Sequence, residues 1–288
     1  MHFKEAKGII SINNGMNISR GCTHGCIYCD SRSKCYHIDH DFEDVQIKSN
    51  APALLENSLK RKRKKCMIGT GAMSDPYIPI PENLANIRSC LEIIDKYGCG
   101  IAIQTKSDLI LRDIDLLVSI NKKAKCIVQT TLTTYDEDLC RIIEPNVCTT
   151  KRRWEVLKIM RDNGIQTIAW LCPFLPFIND TEENLRGILD YCIDAGVYGI
   201  LSWGIGMTLR EGSRDYFYKK LDEHFPGLKN EYHKKYGYKY EISSDNNNIL
   251  YKLMQSICKK NNIILGTDSL FEHMHTFDEK VNPQIELF

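Results

Sequence analysis

The sequence contains no apolar run near the roughly 18 residues that a membrane-spanning helix needs, so no transmembrane segment is expected. It also lacks an excess of either charge. Lys and Arg number 38 against 37 Asp and Glu, a formal net charge of +1. Attachment to a polyanion by bulk attraction is thereby excluded, and only local patches remain for that purpose. Residues Met1–Lys7 hold no apolar stretch, so export is not expected and the cytoplasm is the expected compartment. Cysteine falls short of the roughly 8–10% that marks a disulfide scaffold. The thirteen present in 288 residues read as reduced thiols, some available for metal or catalysis. General disorder is excluded as well, because 43% of the residues are hydrophobic and suffice for a sizeable core.

What is present is a rhythm. Apolar, β-rich runs at 16–20, 66–70, 100–105, 126–132, 166–172 and 198–205 alternate with helical patterns near 53–63, 82–97, 111–121, 152–163 and 181–195. Thr181-Glu-Glu-Asn reads as a helix start, while Asn163-Gly164 and Ala195-Gly196 read as helix ends. Six β-α repeats in register predict parallel strands joined by right-handed crossovers. The expected fold is therefore α/β, a partial (β/α)6 TIM-like barrel over residues 1–210. Residues 211–275 are expected to form a small aromatic and basic helical extension, with a helix near 246–260 and polar sequence beyond it. Residues 276–288 are expected as a flexible tail.

Ten cysteines are scattered, but Cys22, Cys26 and Cys29 form a CxxxCxxC loop directly after the first expected strand. That is the C-terminal mouth of a barrel, where such folds keep their sites. Three thiolates at this spacing suit three irons of a cubane and leave the fourth open to a small chelating ligand. The competing reading is a zinc site completed by Cys35, His24 or His37.

With Tyr28 placed before the last cysteine, the loop resembles that of the radical S-adenosylmethionine (SAM) superfamily. Further segments extend the likeness over residues 16–210: Ile68-Gly-Thr-Gly-Ala-Met-Ser-Asp-Pro-Tyr77, Gln104-Thr-Lys-Ser107, Leu111-Arg-Asp-Ile-Asp-Leu116, Thr131-Leu-Thr-Thr-Tyr-Asp136 and Pro173-Phe-Leu-Pro-Phe-Ile-Asn-Asp180. In order and spacing they look like the spore photoproduct lyase-like branch. The resemblance implies a barrel of the radical SAM type and a 4Fe–4S cluster on Cys22, Cys26 and Cys29, whose open iron chelates SAM. It implies reductive cleavage of SAM to a 5′-deoxyadenosyl radical, with flavodoxin or ferredoxin as electron donor. It places Tyr28, Gly69, Thr70, Gly71, Ser74, Asp75, Lys106 and Thr131 around SAM, with Lys106 as partner of its carboxylate. One departure stands out. The position held here by Ala72 is, in spore photoproduct lyase itself, the cysteine that returns a hydrogen atom to the product radical. Alanine has no such hydrogen, and Cys172 is the candidate relay by strand position.

Lys60-Arg-Lys-Arg-Lys-Lys65 suits a solvated helix end on the non-catalytic side of the barrel, although cations there can also reach a phosphate. Tyrosines from Tyr216 to Tyr240 interleave with lysines, which suits either base stacking with phosphate contacts or a small subdomain closing the barrel. Gln284-Ile-Glu-Leu-Phe288 resembles the peptide by which repair and replication proteins dock on the DNA sliding clamp; folding back of Leu287 and Phe288 onto the chain is the alternative. The sequence thus points to a radical SAM enzyme acting on a nucleic acid, in lesion repair or base modification. A peptide or small-molecule substrate and a non-catalytic Fe–S or zinc module remain as alternatives.

Overall fold

The computed structural model describes residues 1–276, so the clamp-like Gln284–Phe288 segment lies outside the described residues. In chain order the strands are β1 (His2–Lys4), β2 (Gly15–Met16), β3 (Ser19–Arg20), β4 (Gln46–Lys48), β5 (Met67–Thr70) and β6 (Gly100–Gln104). They continue as β7 (Cys126–Thr131), β8 (Gln166–Trp170), β9 (Gly199–Leu201), β10 (Gly206–Thr208), β11 (Glu241–Ser243) and β12 (Ile264–Leu265). The helices are α1 (Ala51–Lys60), α2 (Pro81–Tyr97), α3 (Ile114–Lys123), α4 (Glu137–Ile143), α5 (Thr150–Asp162) and α6 (Glu182–Ala195). After them come α7 (Ser213–His224), α8 (Leu228–Tyr236), α9 (Asn247–Lys260) and α10 (Thr267–His275).

Seven strands make one parallel sheet in the order β12-β9-β8-β7-β6-β5-β2. Alternation along each strand sends neighbouring side chains to opposite faces. Ile68, Ile101, Ile103 and Val128 pack outward with α1, α2 and α3, and Ala169 and Ile200 pack outward with α5, α6 and α9. Their neighbours Met67, Ala102, Ile127, Ile168 and Leu201 instead surround Leu270 and Met274 of α10. Helix α10 packs on both β5 and β9, strands that three others separate. A flat sheet would not allow that, so the sheet curls around α10 as a partial barrel. A Cβ on Gly199 would stand 2.5 Å from Leu270 Cδ2, so a bare backbone there is what lets α10 approach.

The six expected parallel strands are all present, with three corrections. The run 16–20 is not one strand: β2 joins the barrel, whereas β3 pairs antiparallel with β4 in a small β1-β4-β3 sheet. The helix expected over 111–121 opens as a 3-10 turn at Asp108–Asp113, whose start is held by the Ser107 side chain accepting from Leu109 N. The polar stretch after residue 260 returns to the barrel, supplying β12 as a seventh strand and α10 as its inner helix. Strand β12 owes its existence to pairing with β9, and two residues carry no readable period. No helix among the described residues is long and apolar enough to cross a membrane.

Candidate functional site

Cys22, Cys26 and Cys29 lie on the loop that leaves β3. Cys26 is buried, and Cys22 and Cys29 are half-buried. The loop is clipped to the end of α4 and the turn that follows: Ile27 N donates to Ile143 O at 3.0 Å, Asn146 N to His24 O at 3.1 Å and Asn146 Nδ2 to Thr23 O at 2.9 Å. Burial, with Asp75 adding, pushes the Cys22 thiol up to about 12, and burial raises Cys26 against the pull of Lys106. The three thiols sense one another, and the Lys106 ammonium lies within electrostatic reach of all of them. Burial disfavours the Lys106 charge, but Cys26 and Glu144 outweigh it and hold the group above its ordinary value. Among the described residues this ammonium has no hydrogen-bond acceptor; it stands 5.6 Å from the centre of the Tyr28 ring.

Beneath the loop sits a polar cluster invisible to sequence reading. Glu144 and Arg153 form a buried ion pair, and the Tyr28 hydroxyl also donates to Glu144. Arg153 Nη1 donates to Thr131 O at 2.7 Å, tying the cluster to the end of β7. Burial alone would raise the Glu144 carboxyl, yet Arg153, Lys106 and the two hydrogen bonds hold it below the ordinary carboxylate range. His24, also buried, faces Asp75 at 3.5 Å. The only hint in the sequence is a carboxylate followed by proline, Glu144-Pro145, at the end of a short apolar pattern.

The loop after β5 is fixed by its own side chains. Ser74 Oγ bonds Ser19 Oγ at 3.0 Å and donates to Gly21 O at 2.6 Å. Asp75 accepts from Tyr77 N (2.8 Å), Thr105 Oγ1 (2.7 Å) and Lys106 N (2.8 Å). Ser74 and Asp75, expected at the ligand, therefore spend their polar atoms on holding three loops together. Gly69 has open space where a Cβ would be, whereas a Cβ on Gly71 would lie 1.9 Å from Gln104 O at a φ of +101°. Gly71→Ala is therefore expected to cost about 1–3 kcal/mol of stability, measured by urea unfolding. A loss below about 0.5 kcal/mol, the scatter of ordinary surface changes, would refute the crowding.

Alternation places Gly69, Gln129, Thr131 and Trp170 on the concave face. Trp170 Nε1 donates to Gln129 Oε1 at 2.8 Å, and the Trp170 ring lies 5.4 Å from Trp203 and 6.1 Å from Phe271. Trp203 is largely exposed, although it is aromatic. Burial pushes the half-buried Cys172 thiol up to about 12, with Lys106 as the opposing influence. Its sulfur therefore keeps its hydrogen at neutral pH. Cys148 Sγ donates to the Lys106 carbonyl at 3.0 Å. Thr70 is buried at the end of β5.

Among the described residues, no three His, Cys, Asp or Glu side chains gather closely enough for one metal ion. Two of the three expected fourth zinc ligands are engaged elsewhere: Cys35 Sγ takes a hydrogen bond from Arg210, and His24 pairs with Asp75. Three thiols on one loop are the donor chemistry of a 4Fe–4S cubane that keeps one iron open.

Comparison with known proteins places this geometry. A profile of the Radical SAM superfamily matches residues 16–192, more than half of the chain. An uncharacterized protein of Mycobacterium tuberculosis is 28% identical over 229 residues, covering 77% of this chain and 66% of its own. One from Methanocaldococcus jannaschii is 34% identical over 164 residues, covering 56% of this chain and 60% of its own. The chain thus spans no more than about two thirds of these relatives. Spore photoproduct lyase complexed with dinucleoside spore photoproduct shares the fold at a TM-score of 0.62 and 13% identity, over 86% of this chain and 74% of that one. A radical S-adenosylmethionine methyltransferase of Kitasatospora setae, with cobalamin and a 4Fe–4S cluster bound, gives 0.51 and 14%, over 68% and 34%.

Proposed function

The chain belongs to the radical SAM superfamily, and on that premise we propose that it takes a hydrogen atom from a nucleic-acid substrate, as a repair or base-modifying enzyme of the spore photoproduct lyase-like branch. Its cofactors are those of the superfamily, a 4Fe–4S cluster and SAM. Bound and reduced, they supply a 5′-deoxyadenosyl radical that abstracts hydrogen.

The chain's own residues bind and orient. Cys22, Cys26 and Cys29 hold the cluster. Lys106, a cation with no acceptor among the described residues, pairs with the SAM carboxylate. Gly69, with open space beside it, lets the backbone approach the ligand, Gly71 holds the turn closely against Gln104 O, Thr131 lines the ligand, and Thr70 and Tyr28 present backbone groups to it. Ser74 and Asp75 act one step back, by fixing Gly21 and the Lys106 backbone. Cys172, held as a thiol on the concave side, is the hydrogen-atom relay that Ala72 does not provide. Flavodoxin or ferredoxin delivers the electron, and the Gln284–Phe288 segment tethers the protein to the sliding clamp.

One observation carries this reading: three loop thiols and an acceptor-free ammonium converge at the mouth of a barrel in which Trp170 of β8 meets Trp203 and the Phe271 ring of α10. Flat rings of that kind suit a base taken out of its stack. The test is anaerobic reconstitution with reductant and SAM, following 5′-deoxyadenosine by chromatography with undamaged DNA, ultraviolet-irradiated DNA and a tryptophan-containing peptide. A several-fold rise with either DNA is expected. A rise with the peptide alone would move the substrate to another class, and a zinc-loaded protein that cleaves no SAM would remove the enzyme reading.

A further inference from the structure

Beside the cysteine loop, on the side of the small β1-β4-β3 sheet, lies a cleft of ≈ 610 Å³. Its wall includes Gly21, the residue before Cys22, and Met73, the residue before Ser74, and Ser74 Oγ bonds Gly21 O at 2.6 Å. The cleft therefore shares a wall with the site.

The charge of that wall is one-sided. Lys4, Lys7, Arg20 and Lys48 line it against a single carboxylate, Glu5. Among the described residues none of these four cations has an ion-pair partner. Arg20 is oriented by the carbonyls of Tyr36 and His37, the latter at 3.4 Å. Lys4 and Lys48 are register partners across the parallel β1-β4 ladder, so they stand opposite each other on one face. Like charges opposed in this way destabilise a sheet. Lys48 is also half-buried, and burial, with Arg20 adding, lowers its affinity for a proton. A solvated surface patch would spread these cations apart. Here a ladder opposes two of them and a carbonyl pair anchors a third, an arrangement that an anion would relieve.

We propose that this cleft holds the phosphodiester backbone of the nucleic-acid strand whose base enters the barrel. The proposal rests on the nucleic-acid reading above and adds to it a place and a set of residues. Phosphate contacts fix register without reading sequence, so the cleft positions the strand while the concave aromatic face meets the base. In a chain with a net charge of only +1, the attraction must be local, and this cleft supplies it.

The test is fluorescence anisotropy of a labelled oligothymidylate on the whole protein across a salt series, with thermal unfolding as the check on folding. Wild-type protein is expected to bind with a marked salt slope. The Lys4→Gln/Lys48→Gln double variant should bind about tenfold more weakly at low salt, its log–log slope shallower by about 1.4 for two lost phosphate contacts. Lys4→Arg/Lys48→Arg should restore both, and Arg63→Gln/Lys64→Gln, in the basic run before β5, should change little. Unchanged affinity and slope in the double glutamine variant would overturn the cleft, as would an equal loss in the Arg63/Lys64 variant. If wild-type protein does not bind the oligonucleotide at all, the nucleic-acid reading itself fails and takes the cleft with it.

Discussion

Cys26→Ala protein, reconstituted anaerobically with iron and sulfide, is expected to lose the roughly four irons and four sulfides of a cubane and to form 5′-deoxyadenosine only at background. The effect should be near total because, on the proposed ligation by Cys22, Cys26 and Cys29, one of the three thiolates that would hold the cluster is lost. Folding should survive: Cys26 sits in a small apolar group with Ile27, Tyr28 and Leu175, and a buried thiol is little more than a small hydrophobe there. Two controls separate ligation from general thiol loss. Cys126→Ala, in the outer core, and Cys35→Ala, on the neighbouring cleft, should keep the iron. Retention of iron by Cys26→Ala, measured with labile sulfide, would reassign the ligands; loss of iron in Cys35→Ala would revive a four-cysteine site.

The second large effect lies one layer beneath. Glu144→Ala leaves the buried Arg153 guanidinium without its carboxylate, and breaking a buried pair from one side costs about 3–5 kcal/mol. At roughly 2–4 °C per kcal/mol for a chain somewhat smaller than this one, thermal unfolding should move down by about 10 °C. Iron loading should fall with it, because the same segment donates Asn146 N to His24 O and accepts from Ile27 N through Ile143 O. Replacing both partners, as Glu144→Leu/Arg153→Met, should recover much of the loss, since a packed apolar pair avoids the desolvation of both ions. A single-variant cost under about 1 kcal/mol, the range of a surface pair, would show that water reaches the cluster.

The legible part of this molecule is the part built from local pattern. Six parallel strands announced themselves as apolar runs, and helix ends carried their own chemistry. Thr181 accepts from Asn184 N at the start of α6, and Gly196 closes that helix in the left-handed region. The thiol loop was legible because three cysteines fall within eight residues. What stayed hidden depends on partners distant along the chain. Glu144 and Arg153 are ordinary charges until a loop and a helix bury them together. Lys4 and Lys48 become a like-charge pair only through a ladder joining segments 44 residues apart. Ser74 and Asp75 read from the sequence as ligand contacts, but their hydrogen bonds show them bracing loops. Helix α10 was missed because Leu270, Phe271 and Met274, set among polar neighbours, make too short a stripe to reveal an interior helix.

That inner helix also sets an order of assembly. Each outer helix closes over the sheet beside its own strands, so the curved wall can form one β-α unit at a time as the chain lengthens. The concave face cannot be finished that way, because Leu270 meets Met67 and Ala102 across some two hundred residues of intervening chain. Closing so long a loop is slow relative to zipping adjacent strands. During synthesis the half-built wall stands open on its inner side, with α10 still to come. The inner face is complete only once α10 seats against Met67, Ala102 and Leu201.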